Sequence, residues 1–143
     1  MKKKILVLGG GYSKERAISL RSAEAVIKSI KKIHKVKFCD PSNNFLTTVE
    51  KFKPDVIFNA LHGRFGEDGY IQSVLETLNI KYTHSGVISS MFAMDKEISK
   101  KIFTKNKILT PKFVKINNDT KSINFRMIKN YLKYPVVIKP INE

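Results

Sequence analysis

Three consecutive glycines, Gly9-Gly10-Gly11, stand directly behind the short apolar run Ile5-Leu-Val-Leu8 near the start of this 143-residue chain. An unbroken apolar run of that length has no polar face to turn to water, so it reads as a strand covered on both sides. Glycines at its end let the backbone turn and come close to other groups. The pattern then changes period. Ala17, Leu20, Ala23, Ala25-Val26-Ile27, Ile30 and Ile33 form a helical stripe with Lys and Glu between them. The alternation repeats along the chain. Val36-Lys-Phe-Cys39 is a second strand closed by Asp40-Pro41, and a short helix over Phe45 to Phe52 is stopped by Pro54. Asp55 to Leu61 is a third, strongly apolar strand, and residues 69–78 resume helical spacing through Ile71, Val74, Leu75 and Leu78. Lys81-Tyr-Thr83 is a brief fourth strand, with a helix from about Val87.

Strand, helix, strand, helix, strand predicts an α/β fold: an open, mostly parallel sheet with helices on both faces. Right-handed crossovers place the loops after the strands on one edge, where such sheets bind ligands. Those loops are residues 9–15, 40–44, 62–69 and 83–86. After residue 94 the pattern shifts. Asp95 to Lys107 is a lysine-rich helix whose inner face is marked by Met91, Met94, Ile98 and Ile102. Strands over Lys112–Ile116 and Pro135–Lys139, a turn at Asn117-Asn118-Asp119 and a helix over Ile123–Leu132 follow. Residues 1–94 thus read as a nearly whole domain and 95–143 as the opening of another.

Composition narrows the function classes. A single cysteine, Cys39, excludes a disulfide framework and a multi-cysteine zinc site. No apolar run approaches the ~20 residues that span a bilayer, and the apolar stretch behind Met1-Lys-Lys-Lys is too short for a signal peptide. The expected setting is therefore soluble and cytoplasmic. The net charge of +15 invites a nucleic-acid partner, but only Arg16, Arg21, Arg64 and Arg126 among 27 basic residues are arginine. Lysines spread over helix faces, in a chain also rich in Ile and Asn, fit a solvated surface shaped by codon bias better than a base-reading one.

Two loops carry chemistry. In the first, Gly9 and Gly11 fit part of a dinucleotide fingerprint with Asp40 as the ribose acid, but Lys14 occupies the third glycine position. Ser13 is a natural helix cap, and Glu15 suits the first turn of a helix. The loop Ala60-Leu-His-Gly-Arg-Phe-Gly-Glu-Asp-Gly69 packs three glycines, His62, Arg64 and two acids behind a buried strand. His62 there points to the edge where ligands bind, while Glu67 and Asp68 suit the next helix's N-terminus.

Several segments together resemble the D-alanine–D-alanine ligase family. Gly10-Gly-Tyr-Ser-Lys-Glu-Arg-Ala-Ile-Ser-Leu20 is similar to that family's GG-x-S-x-ER-x-x-SL opening, and Ala60 to Gly69 with Ile71-Gln72 to its ALHG-x-x-GEDG-x-(I/L)-Q segment. Tyr82-Thr-His-Ser-Gly-Val87, Met94-Asp-Lys96 with Lys100, and Pro135-Val-Val-Ile-Lys-Pro140 resemble three further motifs in order. The resemblance implies a Rossmann-like, pre-ATP-grasp domain over 1–94 and the incomplete beginning of an ATP-grasp domain over 95–143. It implies an ATP-dependent enzyme that activates one D-alanine as an acyl phosphate for attack by a second, supplying peptidoglycan precursors. Glu15 and His62 would be catalytic, with Ser19 and Gly63 beside the amino acids and Lys96 and Lys139 facing ATP. The ligands of Mg2+, and the phosphate loop, would lie outside this chain, which alone should not turn over ATP. D-alanine and ATP are the implied partners, with a homodimer at full length and neither nucleic acid nor membrane. His84 departs from the family's glycine and would be strained if the turn needs positive φ. The alternative is a non-catalytic amino-acid- or nucleotide-binding module, or a truncated relic.

Overall fold

The computed structural model describes residues 1–117 and 125–142. These form two compact units, Met1–Met94 and Asp95–Glu143. In the first unit the elements run β1 (Lys4–Leu8), α1 (Arg16–Ile30), β2 (Lys35–Cys39), α2 (Phe45–Phe52), β3 (Val56–Asn59), α3 (Tyr70–Thr77) and α4 (Val87–Met94). In the second they are α5 (Lys96–Lys105) and α6 (Phe125–Leu132).

The sheet of the first unit is parallel, in the order β2-β1-β3. The apolar run at 5–8 takes the central place because it alone can be buried on both faces. Alternate side chains then serve opposite layers. Leu6 and Leu8 pack with Val49, Ile57, Ile71 and Leu75 on the side of α2 and α3. Ile5 and Val7 pack with Ala23 of α1 and with Ala60. Leu6, Val7, Leu8, Ile57 and Leu75 are fully buried, each worth roughly 1.5–3 kcal/mol of transfer free energy. The edge strand β2 keeps Lys35 and Lys37 exposed, which discourages pairing with another chain. Gly9 sets how closely α1 can lie on the sheet: a Cβ there would stand 2.5 Å from the Ala23 Cβ.

Several expected elements are shorter. The fourth strand at 81–83 is reduced to one parallel bridge, Ile57 to Tyr82, in which Ile57 N donates to the Lys81 carbonyl and Thr83 N to the Ile57 carbonyl. The stripe of α1 stops at Ile30, because the turn that follows leaves Ile33 65% exposed. Lys53, with φ 49, ends α2 one residue before Pro54.

The inner face expected from Met91 to Ile102 is divided between two helices. Asp95 adopts extended backbone and its carboxylate accepts from Ile98 N at 2.8 Å, so a new helix starts there. None of the residues of α5 is fully buried. The strands expected at 112–116 and 135–139 form no sheet pairing, since no described strand of this unit lies beside them. Instead Glu97 holds Lys101 and Lys115 at 2.6 Å each, and Lys100 Nζ donates to the Thr110 hydroxyl and the Pro111 carbonyl. Residues 118–119 of the expected turn and residues 123–124 of the expected helix lie outside the described residues.

Val137 and Ile138 are apolar residues left 79% and 90% exposed and outside any described sheet. Hydrogen exchange should therefore separate the units. Amides of Val7 and Ile57 should exchange roughly 100-fold more slowly than those of residues 136–138, as measured by mass spectrometry or NMR. Equal protection would mean that the apolar segment is paired in solution.

Candidate functional site at the carboxyl edge of the sheet

The loops after β1, β2 and β3 meet at one edge, held by side chains from all three. The Ser19 hydroxyl, wholly buried, accepts from Gly10 N and donates to the Ala60 carbonyl, both at 2.8 Å. One side chain of α1 thereby joins the loop after β1 to the end of β3. Asp40, at the end of β2, accepts from Gly11 N, Ser42 N and the Ser42 hydroxyl, and pairs with Arg16 at 2.6 Å. Burial opposes the charge on Asp40, but the Arg16 guanidinium and the Gly11 and Ser42 donors overcome it and hold the carboxyl down to about 2. The ribose-acid reading of Asp40 is thus corrected: its oxygens serve the loops themselves. Gly10 N and Gly11 N are likewise committed inside the chain, so the glycine loop is not an empty phosphate cradle.

Ser13 and Glu15 stand differently from a simple cap. Ser13 Oγ accepts from Glu15 N at 3.0 Å, and Glu15 itself occupies the N-cap position of α1 with no side-chain cap bond. Its exposed carboxylate leans on Gly63. A Cβ at Gly63, where φ is +68, would stand 2.7 Å from Glu15 Oε2 and 2.6 Å from Ser13 Oγ. Glycine at this position therefore lets the two loops touch.

His62 immediately precedes Gly63. Its Nε2 lies 3.1 Å from the Ser22 hydroxyl, and its Nδ1 lies 3.7 Å from Glu67 Oε1, close enough for attraction when the ring is protonated but too long for a hydrogen bond. Glu67 Oε2 accepts from Gly63 N at 2.7 Å. Glu67 thus turns back into its own loop, correcting the expectation that it serves the next helix. Asp68 does both, accepting from Phe65 N and from Tyr70 N at the start of α3. Glu15, Gly63, His62 and Glu67 share one patch of two carboxylates and an imidazole.

Residues 40–85 match the family described as D-ala D-ala ligase N-terminus. The D-alanine–D-alanine ligase of Pelagibacter ubique is 61% identical over 145 residues, a match that takes in all of this chain and 48% of that protein. That of Wolbachia sp. subsp. Brugia malayi is 46% identical, over 97% of this chain and 40% of its own length. The crystal structure of the Bacillus anthracis D-alanine–D-alanine ligase complexed with ATP superposes with a TM-score of 0.79 at 34% identity, covering 98% of this chain and 48% of that one. From end to end, this chain is similar to the N-terminal part of D-alanine–D-alanine ligases. It spans about half the length, or somewhat less, of the relatives it matches.

The motifs of the first unit that resemble the ligases converge here, with Glu15 exposed, His62 half-buried, and Gly63 and Ser19 buried. The other two candidates lie in the second unit. Lys96 opens α5 and its backbone N donates to the carbonyl of Ile141, two residues after the exposed Lys139. His84 has φ 89, so the turn does hold it in the left-handed region. Sequence reading passes over the supports. Asn59 and Gln72, each 1% exposed, both donate to the Gly66 carbonyl, at 2.9 and 3.0 Å. A polar residue inside an apolar strand was the available signal for Asn59, because a buried amide must find partners.

Two measurements follow from these contacts. Ser19→Ala orphans Gly10 N and the Ala60 carbonyl together, and should lower unfolding stability by about 1–3 kcal/mol or more in urea titrations. A loss near zero would mean that water replaces the hydroxyl. Asp40 titrates lower in the folded chain than its ordinary value of 3.8. Its contribution is therefore complete above pH ~4 and disappears as pH falls through about 2, amounting to roughly 1–2 kcal/mol with Arg16 partly solvated. Asp40→Asn should flatten that part of the stability–pH curve, measured by urea unfolding between pH 2 and 7.

Proposed function

We propose that this chain is the amino-acid-handling part, with the opening of the nucleotide-binding module, of an ATP-dependent ligase that joins two D-alanines. The observation that carries the reading is the meeting of Glu15, Gly63, His62 and Glu67 at the carboxyl edge. An amino-acid substrate brings an ammonium and a carboxylate. Glu15 has an exposed carboxylate on a fixed helix terminus, suited to a charge-assisted hydrogen bond with the ammonium. His62, backed by Ser22 and Glu67, is placed to hydrogen-bond a substrate carboxylate or orient the second amine. Gly63 keeps the approach open, and Ser19 acts as a positioning residue that holds the loops in register.

ATP supplies the phosphoryl group that activates the first carboxylate. Lys96 and Lys139 belong to one unit and are linked through the Lys96–Ile141 backbone bond. Two lysines on segments so joined suit a polyphosphate, whose negative charge shifts among its oxygens in the transition state. The magnesium that accompanies ATP in such chemistry is assigned ligands outside this chain. Among the described residues, no group of three or more His, Cys, Asp or Glu gathers to hold a metal. No described helix is long and apolar enough to cross a membrane. The reading includes a cytoplasmic role in peptidoglycan precursor synthesis and a homodimer, for which exposed Ile88 and Met91 of α4 are suitable apolar surface.

A chimera tests this directly. This chain, in place of the matching 145 residues of the Pelagibacter ubique relative, should release ADP when D-alanine is added. Glu15→Gln in that chimera should lower kcat/KM by roughly 10–100-fold, the value of a hydrogen bond to a charged group. ADP release indifferent to D-alanine, or full activity of the Glu15→Gln chimera, would overturn the assignment.

A further inference from the structure

Beside the Glu15–Gly63 junction, a separate cavity of about 420 Å3 opens between the loops at 10–13, 41–46 and 61–66 and the first turn of α3. Neither Glu15 nor Glu67 lines it, although it borders Ser13 and His62. Its floor is apolar: Leu61 and Ile71 are 7% and 4% exposed. Its rim is aromatic. Tyr12 meets Phe65 edge-on at 6.2 Å, and Phe65 meets Tyr70 edge-on at 5.3 Å.

Two features show that this rim is more than exposed surface. Phe65 has φ 69, a conformation that glycine adopts freely and a bulky side chain does not, yet an aromatic ring is kept there, 37% exposed. The Asp68 carboxylate, accepting from Phe65 N, holds the backbone in that state. Over the ring, at 5.3 Å, sits the guanidinium of Arg64. A cation–π contact of this kind holds the guanidinium at the rim, and its N–H donors can still bind. Among the described residues that line the cavity there is no Asp, Glu or Lys, and Arg64 brings the permanent charge. The backbone donors of Gly10 and Gly11 are already taken by Ser19 and Asp40. An anion entering here therefore finds Arg64 rather than the glycine loop.

We propose that this cavity binds a small aromatic monocarboxylate, with its ring among Tyr12, Phe65 and Tyr70 above Leu61 and its carboxylate on Arg64. The charge of the lining selects an anion, and the aromatic rim selects a flat apolar body over a compact ion such as phosphate. A volume of this order suits a small organic ligand. The cavity shares Ser13 and His62 with the proposed ligation site, but the contacts proposed here need neither Glu15 nor ATP.

The test is a titration of the whole chain followed by 15N–1H correlation spectra, with indole-3-acetate, tryptamine and acetate as probes. Indole-3-acetate should shift the amides of Gly11, Leu61 and Phe65 saturably. Tryptamine carries the same ring with a cation, and acetate the anion without the ring; both should bind at least about tenfold more weakly. Arg64→Gln, an exposed position, should cost indole-3-acetate roughly tenfold in affinity while the amide pattern of β1 and β3 stays unchanged. Phe65→Ala should weaken it as well. Equal binding of tryptamine, unchanged affinity in Arg64→Gln, or shifts confined to other parts of the chain would overturn the proposal. Any of those results leaves the ligase reading intact, because D-alanine-dependent ADP release is measured without these probes.

Discussion

A single buried hydroxyl stands where the candidate site is held together. Ser19 reaches from α1 to Gly10 N on one side and the Ala60 carbonyl on the other, in a place with no access to water. Both backbone groups would otherwise be unsatisfied, and their positions decide where Glu15 and His62 stand. The hydroxyl can reach both only because α1 lies close to β1, and α1 lies close only because Gly9 has no side chain to meet Ala23. Packing of the smallest residues thus sets the geometry of the polar ones.

The glycine-rich loop of this fold is a junction between strands. Its N–H groups go to Ser19 and Asp40, and Asp40 is in turn held by Arg16 and Ser42. What remains open to a ligand is carried by side chains on the rim: the Glu15 carboxylate, the His62 ring, the Arg64 guanidinium. Those side chains are displayed by backbone that is unusual at several points. Gly63, Phe65 and His84 all have positive φ. For glycine this costs little. For Phe65 and His84 the local conformation is less favourable, and neighbouring hydrogen bonds and packing must sustain it.

The second unit shows what a sequence pattern does when no described strand pairs with it. Residues 135–139 have the composition of a strand, but a strand is defined by what it pairs with, and no described strand of that unit lies beside them. Local contacts take over. Glu97 draws Lys101 and Lys115 to itself, and Lys100 secures Thr110 and Pro111. Asp95 performs a comparable task at the junction of α4 and α5, where one carboxylate on Ile98 N starts a new helix within what reads as one apolar stripe.

The alternation of apolar runs with helical stripes was enough to determine the parallel α/β layout, because burial on both faces leaves an apolar run such as 5–8 no other stable role. It also determined which loops would share an edge, since crossovers of one hand put every strand's end on the same side. The resemblance of the motifs at 10–20 and 60–72 singled out Glu15, Gly63 and His62 in those loops. Tertiary structure alone decided what each polar side chain touches. Asp40 turned inward to Gly11 and Arg16, Glu67 turned back to Gly63, and Asn59 and Gln72 met on the Gly66 carbonyl. The physical reason is range. Periodicity reports how a side chain faces its own helix or strand, whereas a hydrogen bond is satisfied by whichever group the fold brings within about 3 Å, from any distance along the chain.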